Sequence, residues 1–191
     1  MSAINQCCFI IGGVPQSGKS SLSKKLRDKL GASIFPLDAI VSSMHDAFPQ
    51  LDITHFTSNP RIVCEKLSTF TQALARHAKY EGLNFVIEGY HISPKTASVF
   101  HKEGFKCVFL GYVDVNVEAK ITEIRTYTRM DHWTTSLSDY ELENLIIRYQ
   151  KESREIQAEC FKLGIPFVKT NHVPAAINQA WTELMVNQEG I

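Results

Sequence analysis

The chain has 191 residues, a length that suits one compact domain with a core of its own. Lysine and arginine total 20, as do aspartate and glutamate, so the formal net charge is zero and the composition argues against a dedicated nucleic-acid binder. Apolar residues make up 44% of the chain, and none of their uninterrupted runs is long enough for a membrane helix.

The first residues and the cysteines bear on the compartment. The N-terminus lacks the basic start and the small-residue cleavage site of a secretory signal, so we expect a cytoplasmic protein. The cysteines form no Cys-x-x-Cys pair and have no histidine at zinc-ligand spacing, which predicts small buried side chains without disulfide, metal or catalytic roles. They are Cys7, Cys8, Cys64, Cys107 and Cys160.

Predicted strands and helices alternate along the chain. The first half is predicted to contain a strand at 7–11, a helix that ends at Gly31, a strand at 33–37, a short helix from Asp38 to about 48, an irregular segment at 49–60, a helix at 62–80 and a strand at 84–87. The second half is predicted to contain a helix that opens at Ser93, a strand at 106–113, a helix at 115–128, a loop at 131–137, a helix from Ser138 to about 162, a strand at 166–168 and a helix at 175–186. This alternation favours a three-layer α/β/α domain built on a parallel five-stranded sheet.

The sequence Gly-Val-Pro-Gln-Ser-Gly-Lys-Ser follows the first predicted strand and precedes the first predicted helix. Its glycines permit backbone angles that other residues resist, so its N–H groups can surround a polyphosphate at the start of a helix. This context predicts a phosphate-binding loop, or P-loop. The predicted nucleotide-binding residues are Gly13, Val14, Pro15, Gln16, Ser17, Gly18, Lys19, Ser20 and Ser21.

Two side chains of this loop have predicted chemical roles. Lys19 should reach the β- and γ-phosphates of a nucleotide, and the Ser20 hydroxyl should bind Mg²⁺. The guanine-reading sequence Asn-Lys-x-Asp does not occur in the chain, so ATP is favoured over GTP. The predicted cofactors are therefore ATP and Mg²⁺.

Three acids follow predicted strands, at the edge of the sheet where ligands bind in open α/β folds. Asp38 is expected either to orient the acceptor hydroxyl and take its proton or simply to cap a helix. Glu88 resembles an acid that holds Mg²⁺ through water or binds the acceptor, with an ordinary loop acid as the alternative. Asp114 is expected to cap a helix.

The segment at about 42–61 is predicted to bind the phosphoryl acceptor. Its polar candidates are Asp52, His55 and Arg61, and a guanidinium suits a phosphate or carboxylate on the acceptor. His91, which follows Glu88 closely in sequence, is a further candidate. For each of these single residues, a surface or structural role is an equal alternative.

A second segment, at about 125–138, is predicted to be a mobile lid. Arg125 and Arg129 are four residues apart, on one face of a helix, and guanidinium groups that close over the transferred phosphoryl would neutralise its charge. The alternative is that both arginines are solvated and pair with Glu118 or Glu123.

The chain resembles the P-loop kinases of small molecules and nucleotides, which include shikimate, gluconate and adenylate kinases. Within them it looks most like 2-phosphoglycerate kinase and its homologues, and it departs from them at Tyr90, where a smaller aliphatic residue is expected. The resembling stretches are residues 11–20, 37–40, 86–94, 148–157 and 164–166.

The resemblance implies a sheet of strand order 2-3-1-4-5, Mg·ATP at the predicted loop, an acceptor near Asp38 and Glu88, and a helical lid. We therefore expect a single domain over 1–191 that transfers the γ-phosphoryl of ATP to a hydroxyl of a small, possibly phosphorylated, metabolite. Three alternatives remain open: a nucleotide or nucleic-acid-end kinase, an ATP-binding regulator without catalysis, and a simple ATPase.

Overall fold

A computed structural model describes residues 6–55, 57, 59–128, 130 and 132–186. Five parallel strands form one sheet in the order β2-β3-β1-β4-β5, which confirms the predicted fold class and strand order. The strands are β1 Cys8–Gly13, β2 Ser33–Pro36, β3 Phe85–Glu88, β4 Lys106–Gly111 and β5 Phe167–Lys169.

Helices connect the strands and cover the sheet. Within the described residues they are α1 Lys19–Leu30, α2 Leu37–Ala47, α3 Pro60–Tyr80, α4 Pro94–Lys102, α5 Val117–Tyr127, α6 Asp139–Leu163 and α7 Val173–Val186. Single 3₁₀ turns occur at Pro49–Leu51 and Trp133–Ser136. None of the helices in this part of the chain is long and apolar enough to cross a membrane.

The sheet is apolar on both faces because its side chains alternate between two cores. In β1, Phe9 and Ile11 pack towards α1 and α7, whereas Ile10 packs towards α2, α3, α4 and α6. A third cluster joins α5 and α6 through Ile124 and Leu142 and includes Val14 of the loop after β1. The predicted loop is thus attached to the core on its α5 side.

Most predicted elements are confirmed, with boundaries shifted by one to a few residues. The predicted helix ends are confirmed at Gly31, which has φ of 65°, and at Ser138, whose side chain forms a capping box with Glu141. Ser93 caps α4, as its position before Pro94 predicts.

Two predicted helix caps are wrong. Asp38 lies in the first turn of α2 and not at its cap, because the helix already begins at Leu37. Asp114 does not cap α5, since the side chain of Asn116 accepts the hydrogen bond from the Ala119 amide. Asp114 instead forms an exposed ion pair with a lysine at the end of β5.

No cysteine forms a disulfide within the described residues, and all except Cys7 are buried. Burial raises the pKa of Cys8 to about 11 and that of Cys107 to about 12, so these groups stay protonated and unreactive at neutral pH. The predicted burial is confirmed for Cys8, Cys64, Cys107 and Cys160 but is wrong for Cys7, which is half-buried.

Candidate active site

The loop between β1 and α1 turns sharply back onto the start of the helix. Gly18, immediately before α1, has φ of 91°, and Gln16 has φ of 58°, both in the left-handed region. Of the predicted nucleotide-binding residues, those at 15–21 line a cleft of about 920 Å³, whereas Gly13 and Val14 are buried. The cleft therefore opens onto the N-terminus of α1, where free N–H groups and the helix dipole favour an anion.

Lys19 places a cation beneath this loop. It is 6% exposed, and its Nζ donates a hydrogen bond of 2.8 Å to the carbonyl of Val14. Burial lowers the pKa of Lys19, and the negative charges of Asp38 and Glu88 offset only part of that effect. A buried ammonium group whose charge is incompletely balanced favours the approach of an anion such as a phosphate.

Ser20 and Glu88 meet at the junction of β1, β3 and α1. The Ser20 hydroxyl donates a hydrogen bond of 3.1 Å to Oε1 of Glu88, which ends β3. Burial raises the pKa of Glu88, against an opposing effect of Lys19. The hydroxyl and the carboxylate supply hard oxygen donors, the kind that Mg²⁺ prefers, so these two residues fit the predicted ion.

Two carbonyl groups of the loop are held from the α5 side. Nζ of Lys120, a residue that is 1% exposed, donates to the Gln16 carbonyl at 2.9 Å and also pairs with Glu123. The hydroxyl of Tyr112 donates to the Pro15 carbonyl at 3.2 Å. Because C=O and N–H point to opposite sides of a trans peptide, both contacts direct the following loop amides away from α5. The sequence does not reveal the role of Lys120, because a contact across 104 residues leaves no local pattern.

Replacing Lys120 by methionine is expected to weaken the binding of Mg·ATP by about tenfold or more, since the loop loses the group that orients its peptides. Titration calorimetry measures the affinity, and Lys29→Met, on the exposed face of α1, is the matched control. The double variant Lys120→Met/Glu123→Gln also removes the half-buried carboxylate that would lose its ion-pair partner. Recovery of stability without recovery of affinity supports a positioning role, and full affinity in Lys120→Met contradicts it.

Asp38 lies next to the end of β3. Its Oδ1 accepts a 3.1 Å hydrogen bond from the Tyr90 amide and lies 3.4 Å from Nδ1 of His91. Gly89 permits this approach, because a Cβ there would come within 2.8 Å of the Leu37 Cβ. Burial raises the pKa of Asp38, but His91 and Lys19 outweigh that effect, and the net pKa is lowered. Asp38 is therefore a carboxylate at neutral pH, and it lines the cleft.

The opposite wall of the cleft is aromatic and polar, and it comes mainly from α6. The hydroxyl of Tyr90 donates a 2.7 Å hydrogen bond to Glu152, and Arg148 donates one of 2.9 Å to the hydroxyl of Tyr149. All four residues line the cleft. Sequence reasoning missed them as site residues, although the departure at Tyr90 from the resembling family was a usable signal.

The predicted lid segment contributes Tyr127, Thr128, His132 and Trp133 to the cleft. Arg125 points elsewhere: its guanidinium bonds to the carbonyls of residues 134, 135 and 137 and pairs with Asp139 at 2.9 Å.

The alternative prediction, that Arg125 pairs with Glu118 or Glu123, is wrong, because its guanidinium pairs with Asp139. Glu123 pairs with Lys120 instead. Arg129 lies outside the described residues, so its predicted role stays a prediction.

The predicted acceptor residues divide into two groups. His55 lines the cleft, and its ring stacks at a tilt on that of His91, with centroids 5.0 Å apart. Arg61 is not among the described residues that line the cleft, and it pairs with Glu155 at 2.9 Å. Asp52 pairs with Lys66 on the surface.

The fold is that of small-molecule P-loop kinases. Shikimate kinase from Acinetobacter baumannii, solved in complex with shikimate, superposes with a TM-score of 0.56 at 13% identity over 97% of each chain. Shikimate kinase from Aquifex aeolicus superposes with a TM-score of 0.55 at 20% identity over 96% of this chain and 99% of its own. A gluconokinase from Sinorhizobium meliloti superposes with a TM-score of 0.54 at 12% identity over 96% and 94%.

The chain belongs to the Zeta toxin family, whose model matches residues 4–168. A comparison with curated protein sequences found no match.

Proposed function

We propose that the protein is an ATP-dependent phosphotransferase that transfers the γ-phosphoryl group to a hydroxyl of a small metabolite. The observation that carries this proposal is that Lys19, Ser20 and Asp38 line one cleft at the carboxyl edge of β1 and β3, with Glu88 hydrogen-bonded to Ser20. The P-loop kinase fold supports it. The protein acts in this proposal as a single domain over 1–191.

The protein's own groups would bind the nucleotide and orient the acceptor. Loop amides and the Lys19 ammonium would bind the β- and γ-phosphates, and the Val14 carbonyl would release Lys19 as the phosphate arrives. Asp38 would hold the acceptor hydroxyl through Oδ2, because Oδ1 is already bonded to the Tyr90 amide. Phosphoryl transfer depends mainly on such positioning and on charge neutralisation.

Ser20 and Glu88 would hold Mg²⁺, which when bound neutralises phosphate charge during transfer. Their 3.1 Å hydrogen bond already holds the hydroxyl oxygen next to the carboxylate. The Ser20–Glu88 pair therefore requires little rearrangement to accept the ion.

The acceptor would lie between Asp38 and α6. Arg148 is partly exposed there and can bind a phosphate or carboxylate, in keeping with a phosphorylated hydroxy acid of the kind that the resemblance to 2-phosphoglycerate kinase implies. Arg125 in its present contacts organises the turn at 134–139, so in this proposal its part in the lid is to shape that segment.

The proposal is tested by an ADP-release screen with Mg·ATP across phosphorylated and unphosphorylated hydroxy acids, sugars and nucleosides. We expect release that depends on one class of acceptor and is lost in Lys19→Ala, since that variant lacks the cation under the loop. Lys29→Ala, an exposed lysine on the same helix, is the control and should retain activity.

Other results distinguish the alternatives. Release that is equal with every candidate and with none indicates a simple ATPase. Tight binding of ATP without turnover indicates a regulator, and transfer only to nucleosides, nucleotides or nucleic-acid ends indicates a nucleotide kinase. Any of these overturns the proposed small-metabolite acceptor.

A further inference from the structure

Three potential metal ligands converge on the acceptor side of the cleft. Asp38, His55 and His91 come from the start of α2, the connection after it and the turn after β3, and one ligand atom of each lies within 4.8 Å of the others. We propose that these three residues form a binding site for a divalent transition metal of the zinc class, separate from the Mg²⁺ position at Ser20 and Glu88.

His91 carries the first part of the argument. Its side chain is 1% exposed, and Nδ1 has no hydrogen-bond partner among the described residues. A buried ring nitrogen without a partner is costly, and buried polar atoms in folded proteins are usually paired with a protein group, a water or an ion. The nearest acidic atom, Oδ1 of Asp38, is 3.4 Å away and is not aligned as a hydrogen-bond acceptor.

The separations suit a zinc-class ion. Bonds of about 2.0–2.2 Å to nitrogen and oxygen place neighbouring tetrahedral ligands roughly 3.4 Å apart. The contact between Asp38 and His91 already has that length. His55 must approach by up to about 1.4 Å to complete the set, and its exposed imidazole is held by a hydrogen bond with the Asp38 carbonyl and by the ring contact with His91.

The donor types select the metal. Two imidazoles and one carboxylate suit zinc, cobalt or nickel, whereas Mg²⁺ prefers an all-oxygen set. Three protein ligands leave a fourth position that faces the cleft, because Asp38 and His55 both line it. An ion bound there would be coordinated by the Asp38 carboxylate, which would then no longer be free to hold the acceptor hydroxyl. In a chain with the proposed kinase function, on which this consequence rests, the ion would compete with the acceptor.

The binding test uses the full chain, treated with a chelator and then titrated with Zn²⁺ in a calorimeter in the presence of excess Mg²⁺. We expect one equivalent to bind. His55→Ala should lower the affinity by about tenfold or more, and so should His91→Gln. His101→Ala, an exposed histidine on α4, is the matched control and should bind as the wild type does. Because His55 is exposed, its variant is expected to fold even where a change at buried His91 does not.

Co²⁺ identifies the ligands by absorption. We expect the visible bands of a four- or five-coordinate ion, lost in His55→Ala, without the near-ultraviolet bands of thiolate ligands. Thiolate bands, or Zn²⁺ affinity that is equal in wild type and His55→Ala, would overturn the proposal.

Neither measurement needs catalysis, so the two proposals fail separately. Zinc binding without acceptor-dependent ADP release leaves this site in place and removes the kinase. Acceptor-dependent release in a chain that does not bind Zn²⁺ removes the site and leaves the kinase.

Discussion

Asp38→Asn is expected to lower kcat for phosphoryl transfer by about 10²- to 10⁴-fold, the usual contribution of a positioned general base. Asparagine keeps the shape of the side chain, and its carbonyl oxygen can still accept the hydrogen bond from the Tyr90 amide. The fold and the binding of Mg·ATP should therefore be preserved. Single-turnover kinetics with calorimetric measurement of ATP affinity separate the two effects.

The matched control is Asp46→Asn, an exposed carboxylate on the same helix. It should leave kcat unchanged. A small loss in Asp38→Asn, of the size seen for the control, would show that Asp38 only supports the turn at residues 89–91 and does not contact the reacting hydroxyl.

Glu88→Gln is expected to stabilise the unliganded protein while lowering its Mg²⁺-dependent activity. Burial raises the pKa of Glu88, so the folded chain holds a proton there more tightly than the unfolded chain does. The free energy of unfolding of the wild type therefore falls as pH rises from the ordinary carboxyl range through the raised pKa. Glutamine removes that loss and can still accept the Ser20 hydrogen bond.

Thermal unfolding across pH measures this effect, with about 2 to 4 °C expected for each kcal/mol regained. The advantage of Glu88→Gln should grow as pH rises through the titration of Glu88. Activity should fall by about 10- to 100-fold, as for residues that support a metal. Glu81→Gln, exposed at the end of α3, is the control, and a destabilised Glu88→Gln would mean that the carboxylate is balanced in the folded state.

The fold was predictable because its signals are local. Each strand is a short apolar run, and each helix has a periodic face or a recognisable end, such as Gly31 or the capping box at Ser138. The strand order came from the resemblance carried by the loop sequence, since local patterns do not say which strands are neighbours. The loop itself was predictable because its glycines have a backbone role that only a few sequences satisfy.

The opposite wall of the cleft, which comes mainly from α6, was not predictable in the same way. Tyr90 and Glu152 are 62 residues apart, and only the packing of α6 against the turn after β3 brings them together. The predicted cap at Asp38 failed for a related reason. Aspartate is a good cap in general, but here the Tyr90 amide on a neighbouring strand end is the donor that its side chain accepts.

The lid arginines show the limit of spacing as a guide. A separation of four residues would put Arg125 and Arg129 on one face of a continuous helix, but α5 ends at Tyr127, and spacing alone does not say what a helical face meets. For Arg125 the structure supplies the answer, since its guanidinium donates hydrogen bonds to the carbonyls of residues 134, 135 and 137.

The missing side chain at Gly89 lets the start of α2 pack closely against the turn after β3, next to the Asp38 edge of the cleft. With 2.8 Å between a would-be Cβ and Leu37, and 3.3 Å to the Asp38 carboxylate, this edge of the sheet tolerates no bulk. In the proposed kinase, a change of acceptor size would therefore have to come from α6 or from the connection that carries His55, since both line the cleft. The edge that carries Asp38 would stay constant while the opposite wall varied.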